Sequence, residues 1–197
     1  MHRHLLRKNP QGLLYLTEIR WDGDEGKKQM GLLECFVGGM LSLGVLHNVN
    51  PSKRERDLET AKALTYTCMR FYFDSPRGVA SEVTGLGSKV EVHYSAAYYI
   101  FRPEAIESLY YLNQITGDPI YKEWGWRVWK AVEKETKTSF GFSHTKDVRF
   151  AGYLDDHTES FFFAETLKYL FLLFNDEHII NLMNQVLNTE AHPISVF

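Results

Sequence analysis

The chain has 197 residues, 44% of them hydrophobic and 14% aromatic, enough to bury one sizeable core. With 24% charged residues and a net charge of −3, the composition excludes a disordered chain and gives no electrostatic basis for a nucleic acid or an anionic membrane as partner. No apolar run approaches the ~18 residues of a membrane helix, and the basic start Met1–Lys8 lacks the apolar stretch of a signal peptide.

In chain order, the pattern is helical nearly throughout. Residues 32–46 are apolar over about four turns, and their glycines point to close helix packing rather than to a strand. Pro51 and Ser52 mark a connection. Residues 57–73 place Leu58, Ala61, Leu64, Cys68 and Phe71 at helical spacing. Val90 and Val92 alternate with polar neighbours, which predicts a short strand within 87–94. Pro103 opens a helix that Gly117 ends, and Asp118-Pro119 starts another carrying Tyr121, Trp124, Val128 and Val132 on one face. Residues 158–174 are apolar almost all round, which predicts a helix buried on several sides, and a last short helix is expected over 178–187. Paired helices joined by irregular loops predict stacked helical hairpins, either a solenoid or part of a helical toroid.

The informative feature is acid inside apolar helices. Glu104 and Glu107 lie three apart on one face, just after Arg102-Pro103, where the helix dipole favours carboxylates. They read either as a capping device with an arginine partner or as part of a working site. Glu165 sits among Phe161-Phe162-Phe163-Ala164 and Leu167, where an unpaired carboxylate costs several kcal/mol. It reads either as half of a buried ion pair with Lys168 or an arginine, or as the lining of an acidic pocket. Thr189, near the end, offers hard oxygen ligands suited to Ca²⁺, yet its segment alone is only a polar tail. His144, His157 and His192 lack the i, i+4 spacing of a zinc helix, and no GxSxG nucleophile motif occurs. Trp124, Trp126 and Trp129 could stack on sugars, but their helical setting favours core packing. Cys35 and Cys68 permit one disulfide, and composition alone favours two buried thiols.

Four segments together resemble the class I α-1,2-mannosidases of glycoside hydrolase family 47. They are Arg102-Pro103-Glu104-Ala105-Ile106-Glu107-Ser108-Leu109, Gly117-Asp118-Pro119 followed by Glu123-Trp124-Gly125-Trp126, Glu159-Ser160-Phe161-Phe162-Phe163-Ala164-Glu165-Thr166-Leu167-Lys168-Tyr169, and Asn188-Thr189-Glu190-Ala191-His192-Pro193. The resemblance runs from about His4 to the C-terminus and matches only the C-terminal part of that family's catalytic domain. It implies an all-α fold, a partial (α/α)₇ barrel of antiparallel helical hairpins with a small β-hairpin, in which residues 1–197 form part of a single domain.

The resemblance further implies Ca²⁺-dependent, inverting hydrolysis of terminal α-1,2-linked mannose from high-mannose N-glycans on glycoproteins, in the endoplasmic reticulum or Golgi lumen. By the same resemblance Glu104 is the candidate general base and Arg102 binds the sugar. Thr189 ligates Ca²⁺ through its carbonyl and hydroxyl oxygens. Glu107, Glu165 and Glu190 hold the calcium's waters and the mannose hydroxyls, Glu82 is another acid of that substrate-binding cluster, and Phe161 forms the apolar floor. Cys35 and Cys68 match the family's disulfide positions, which implies a bridge.

The match departs from the pattern at two places. Gly31 and Leu32 stand where the family carries Asp-His, and Ser81 replaces a proline before Glu82. The family's general acid lies in hairpins that this sequence does not match. The resemblance therefore implies a chain inactive by itself; the alternative is a degenerate, non-catalytic glycan-binding relative.

Overall fold

The computed structural model describes residues 1–18 and 26–196. Among the described residues, five α-helices carry most of the core: α1 (Phe36–Leu46), α2 (Arg54–Phe73), α3 (Glu104–Thr116), α4 (Ile120–Thr136) and α5 (Lys168–Phe174). The strands are short. β1 (Leu6–Lys8) pairs with β2 (Leu14–Leu16). β3 (Gln29–Gly31), β4 (Val83–Leu86) and β5 (Val90–Val92) form an antiparallel sheet with β4 in the middle. β6 (Gln185–Leu187) pairs with β7 (Pro193–Ser195).

α3 is the hub and packs against α1, α2, α4 and α5. Its sequence explains this. Ala105, Ile106, Ser108, Leu109, Tyr110, Tyr111 and Leu112 are all buried, so hardly any of its circumference meets water. α1 approaches it closely because Gly38 and Gly39 present no side chain. A Cβ on Gly38 would stand 2.1 Å from Thr65 Oγ1, and one on Gly39 would stand 2.8 Å from Tyr111 Cδ2. In the space gained, the Gly39 N–H donates to Ser108 Oγ at 2.7 Å, and Ser108 Oγ donates to the Cys35 carbonyl at 2.6 Å. Gly38 and Gly39 thus serve helix packing, as expected of the glycines in 32–46, whereas Gly44 faces open space.

The punctuation of the next pair also holds. Gly117 ends α3 at φ +70°, where a residue without Cβ is least strained, and Asp118 Oδ1 accepts from the Ile120 N–H to start α4. Trp124 packs edge-on to Phe73 and Tyr121, and Trp129 packs on Phe142, so both belong to the core. Trp126 is 55% exposed and leans edge-on against Phe174.

Three expectations change. The helix expected over 158–174 contains a π-helical turn at Phe162–Leu167 before α5. The strand expected within 87–94 narrows to β5, which pairs with β4 at the edge of a three-stranded sheet. Residues 178–187 form no helix. Asn181 Oδ1 accepts from the Met183 N–H and Gln185 Oε1 from the Asn181 N–H, so side chains take the donors a helix would use, and the segment ends in β6.

Cys35 and Cys68 form a disulfide, with Cα atoms 5.9 Å apart, that ties the entry of α1 to α2. The bridge implied by family resemblance is therefore present, and the free thiols that composition favoured are not. Both residues are buried in the core, where neighbouring helices hold them face to face.

Two outcomes test this packing. Closing a loop with a sequence separation of 33 constrains the unfolded chain, so Cys35→Ser/Cys68→Ser should cost about 3–4 kcal/mol in chemical denaturation. Gly38→Ala should cost about 1–3 kcal/mol through overpacking against α2, while leaving the circular dichroism spectrum helical.

Candidate active site

The chain enters α3 through an unusual backbone. Phe101 is fully buried yet has φ +66°, a conformation that costs about 1–3 kcal/mol in a residue with a side chain. The surroundings hold it there. Its ring packs against Tyr99, His144 and Phe162, and its carbonyl accepts a short hydrogen bond from Thr166 Oγ1. This bend precedes Arg102-Pro103-Glu104. Pro103 has no N–H to leave unpaired at the helix start, and its carbonyl accepts the Glu107 N–H at 2.8 Å.

Arg102 faces Glu82, at the start of the β4 segment. Its Nε donates to Glu82 Oε1 and Oε2 at 2.9 and 3.1 Å, and its Nη2 donates to Oε1 at 2.7 Å. Its Nη1 stands 4.0 Å from Glu104 Oε1. This geometry decides one of the two sequence readings. The arginine is committed to Glu82, so Glu104 and Glu107 are not capped by it as a pair.

Glu104 is left exceptionally placed. Its Oε2 is buried and has no hydrogen-bond partner. Burial, reinforced by the charges of Glu107 and Glu165, pushes its carboxyl up to about 7, although its own backbone N–H and Arg102 pull the other way. Glu107, one turn on, is also pushed up to about 7, by burial first and Glu165 second, while the Tyr169 hydroxyl donates to its Oε1 at 3.3 Å.

Glu165 arrives from the π-helical turn. An inserted π turn changes which side chains share a face, and such turns recur at functional sites. Its carboxyl is raised by burial and by Glu190, and Lys168 and Arg102 partly offset this. The ion pair with Lys168 considered from sequence does not form as such, because Lys168 Nζ donates instead to the Ala191 carbonyl at 2.9 Å.

That bond pins the turn between β6 and β7. Ala191 is buried at φ +57°, and Asn188 Oδ1 accepts the Glu190 and His192 N–H groups at 3.0 and 2.9 Å. Thr189 lies exposed in this turn, and among the described residues no hydrogen bond or ion pair joins it to the acids. Phe161 is half-buried immediately before the π turn and packs against the core.

The structure therefore brings Glu82, Arg102, Glu104, Glu107, Glu165 and Glu190 into one electrostatically coupled group, drawn from four separate segments. Sequence reasoning missed two members. Tyr169 lies four residues after Glu165, a spacing that could have flagged it. Asn188 organises the last turn, and its place at the head of a polar run was the available signal. Chemically, the cluster is a group of neighbouring acids with one committed arginine. The oxygens are hard ligands, and the orphaned Glu104 Oε2 and the mutual repulsion of the acids suit a divalent cation with its waters, so the residues present fit Ca²⁺.

The sequence model described as glycosyl hydrolase family 47 matches residues 1–196. The chain is 42% identical, over 98% of its length, to mannosyl-oligosaccharide 1,2-alpha-mannosidase IC of Homo sapiens, of which it covers 31%. It is 37% identical, over 96% of its length, to mannosyl-oligosaccharide 1,2-alpha-mannosidase MNS1 of Arabidopsis thaliana, of which it covers 33%. Its structure is similar to that of an alpha-1,2-mannosidase from Trichoderma reesei, with a TM-score of 0.83 and 27% identity, over 98% of this chain and 44% of the other. The chain thus spans about a third of the length of these curated relatives.

The raised carboxyls fix the sign of a pH effect. Glu104 and Glu107 keep their protons up to about 7 in the folded chain and release them near the ordinary 4.5 when unfolded. Between these values the native state binds more protons, so their stabilisation is complete below 4.5 and is lost as pH rises through about 7. Glu104→Gln carries no charge to bury. It should flatten the decline between about pH 5 and pH 8, and at the upper end gain on the order of 2 kcal/mol in denaturant titrations.

Proposed function

The chain belongs to glycosyl hydrolase family 47, and we propose that it is the C-terminal part of the catalytic domain of a Ca²⁺-dependent, inverting α-1,2-mannosidase that removes terminal mannose from high-mannose N-glycans. Its helix pairs α1–α2 and α3–α4 are then sectors of an (α/α)₇ ring whose remaining hairpins come from outside the matched part. The observation that carries the reading is the buried, unpartnered Glu104 Oε2, set among Glu107, Glu165 and Arg102.

Inverting hydrolysis needs a carboxylic acid to protonate the leaving oxygen and a carboxylate to deprotonate the attacking water on the opposite face of the sugar. Glu104 is the base. A carboxylate oxygen without a hydrogen-bond partner has a lone pair free for that water proton. Burial raises its proton affinity in the metal-free chain, and a bound cation would lower it again and hold the base ionised. Arg102, immobilised by its bidentate bond to Glu82, positions the sugar without needing to be reoriented. Phe161 supplies an apolar surface under the ring. Thr189 would hold the Ca²⁺ through its two oxygens, with Glu107, Glu165 and Glu190 around its waters. When bound, the ion supplies charge that keeps the neighbouring carboxylates ionised and orients water and sugar hydroxyls. The acid that protonates the leaving oxygen belongs to the part of the domain that this chain does not match.

Names of the relatives support the substrate class, since they are called mannosyl-oligosaccharide 1,2-alpha-mannosidases. The disulfide supports work in an oxidising compartment, the lumen of the endoplasmic reticulum or Golgi. One observation favours the second reading, a non-catalytic glycan-binding relative. Leu32, where the family carries a histidine, is 1% exposed and committed to the core, so nothing at that position can reach a sugar.

The purified 197-residue chain, in millimolar CaCl₂, should show saturation-transfer NMR signals with α-1,2-mannobiose and should release no mannose from a high-mannose N-glycan. Arg102→Met should abolish the signals. Absence of any saturation transfer to the parent chain would overturn the sugar site, whereas mannose release would overturn the assignment of the acid to another part of the domain.

A further inference from the structure

Away from the acid cluster, the segments 143–146 and 154–157 run side by side. The His144 N–H donates to the His157 carbonyl at 2.8 Å, and the Asp155 N–H donates to the His144 carbonyl at 3.1 Å. This pairing stacks the two imidazoles edge to face, with ring centroids 5.0 Å apart. Glu159, two residues on, places Oε1 3.4 Å from His157 Nε2. One ligand atom from each of His144, His157 and Glu159 lies within 4.8 Å of the others.

The second observation concerns the deepest member. His144 is 4% exposed, and its Nε2 is buried with no hydrogen-bond partner. An orphaned buried nitrogen costs about 1–3 kcal/mol, so a core histidine normally finds a donor or acceptor. Here the ring is confined by Phe101, and the neighbouring charged side chain Asp155 is engaged by Lys146 Nζ at 3.3 Å.

We propose that His144, His157 and Glu159 form a binding site for a zinc-type divalent transition metal, distinct from the proposed calcium site. Two imidazoles and one carboxylate are a borderline-soft donor set suited to Zn²⁺ rather than to Ca²⁺, which takes only oxygens. Three protein ligands leave a fourth position for water, and the partial exposure of His157 and Glu159 gives the ion a route in. Bound there, the ion would join the 143–157 loop pair to the start of the helical segment bearing Phe161 and Glu165. Through Phe101, it would also brace the backbone that presents Arg102. Sequence inspection finds no zinc motif because the histidines sit on paired loops, 13 positions apart by their numbers, rather than one helical turn apart.

The test is a Zn²⁺ titration of the chelator-treated chain, without a histidine tag, against a chromophoric competitor and in the presence of excess Ca²⁺. Substitutions are confined to the two accessible ligands, His157→Ala and Glu159→Gln, whose folding is checked by circular dichroism. One equivalent of Zn²⁺ should bind, with at least about tenfold weaker affinity in each variant, and Co²⁺ should give visible d–d bands that vanish in His157→Ala. No stoichiometric uptake by the parent chain, or uptake unchanged in both variants, would overturn the proposal. Since Ca²⁺ is in excess and no sugar is involved, either result leaves the mannosidase reading separately testable.

Discussion

Like charges placed close together in a medium of low polarity repel, and in this chain the acids around the start of α3 are held together in spite of that. Glu107 and Glu165 raise the proton affinity of Glu104, Glu165 raises that of Glu107, and Glu190 raises that of Glu165. The available countercharge is mostly used elsewhere. Arg102 is bound to Glu82 and Lys168 to a backbone carbonyl. A protein optimised only for stability would place apolar residues at these positions. In the proposed reading, a hydrated divalent cation and a polyhydroxylated sugar would supply the positive charge and donors these acids lack.

Keeping such a cluster assembled requires a rigid frame, and the rest of the fold provides one. α3 is buried around most of its circumference and is fixed to α1 by two glycines and the Ser108 relay. The disulfide locks α1 to α2 behind it. Among the described residues, four with side chains have left-handed backbone conformations, Asn48, Phe101, Asp156 and Ala191, and of these Phe101 and Ala191 each adjoin a segment that contributes to the acid cluster. Packing around both is tight enough to over-determine these conformations, as expected where strain serves to aim functional groups.

The same frame creates the pairing of 143–146 with 154–157. The ring of His144 packs on Phe101, and Phe101 also touches Phe162 at the start of the π turn. The two histidines and Glu159 are therefore neighbours of the acid cluster in a mechanical sense, sharing its aromatic support without sharing its charge. Any ion bound to them would act on the site through that support rather than through chemistry on the sugar.

Much of this was legible in the sequence, because it depends on local rules. Helical spacing located α1 to α4, Gly117 and Asp118-Pro119 marked a helix end and the next start, and acids within apolar runs announced that Glu104, Glu107 and Glu165 needed an explanation. Family resemblance then indicated the Cys35–Cys68 bridge, which composition could not. What the sequence could not decide were the competitions settled by three-dimensional neighbours. Arg102 could have paired with Glu104, Glu107 or Glu165, and it pairs with Glu82 because the Phe101 bend turns it toward β4. Residues 178–187 read as a last short helix, but their own asparagine and glutamine side chains took backbone donors and left β6 to pair with β7. The π turn and the meeting of His144 with His157 have no sequence signature, since each arises from contacts between segments whose approach is set only when the core closes.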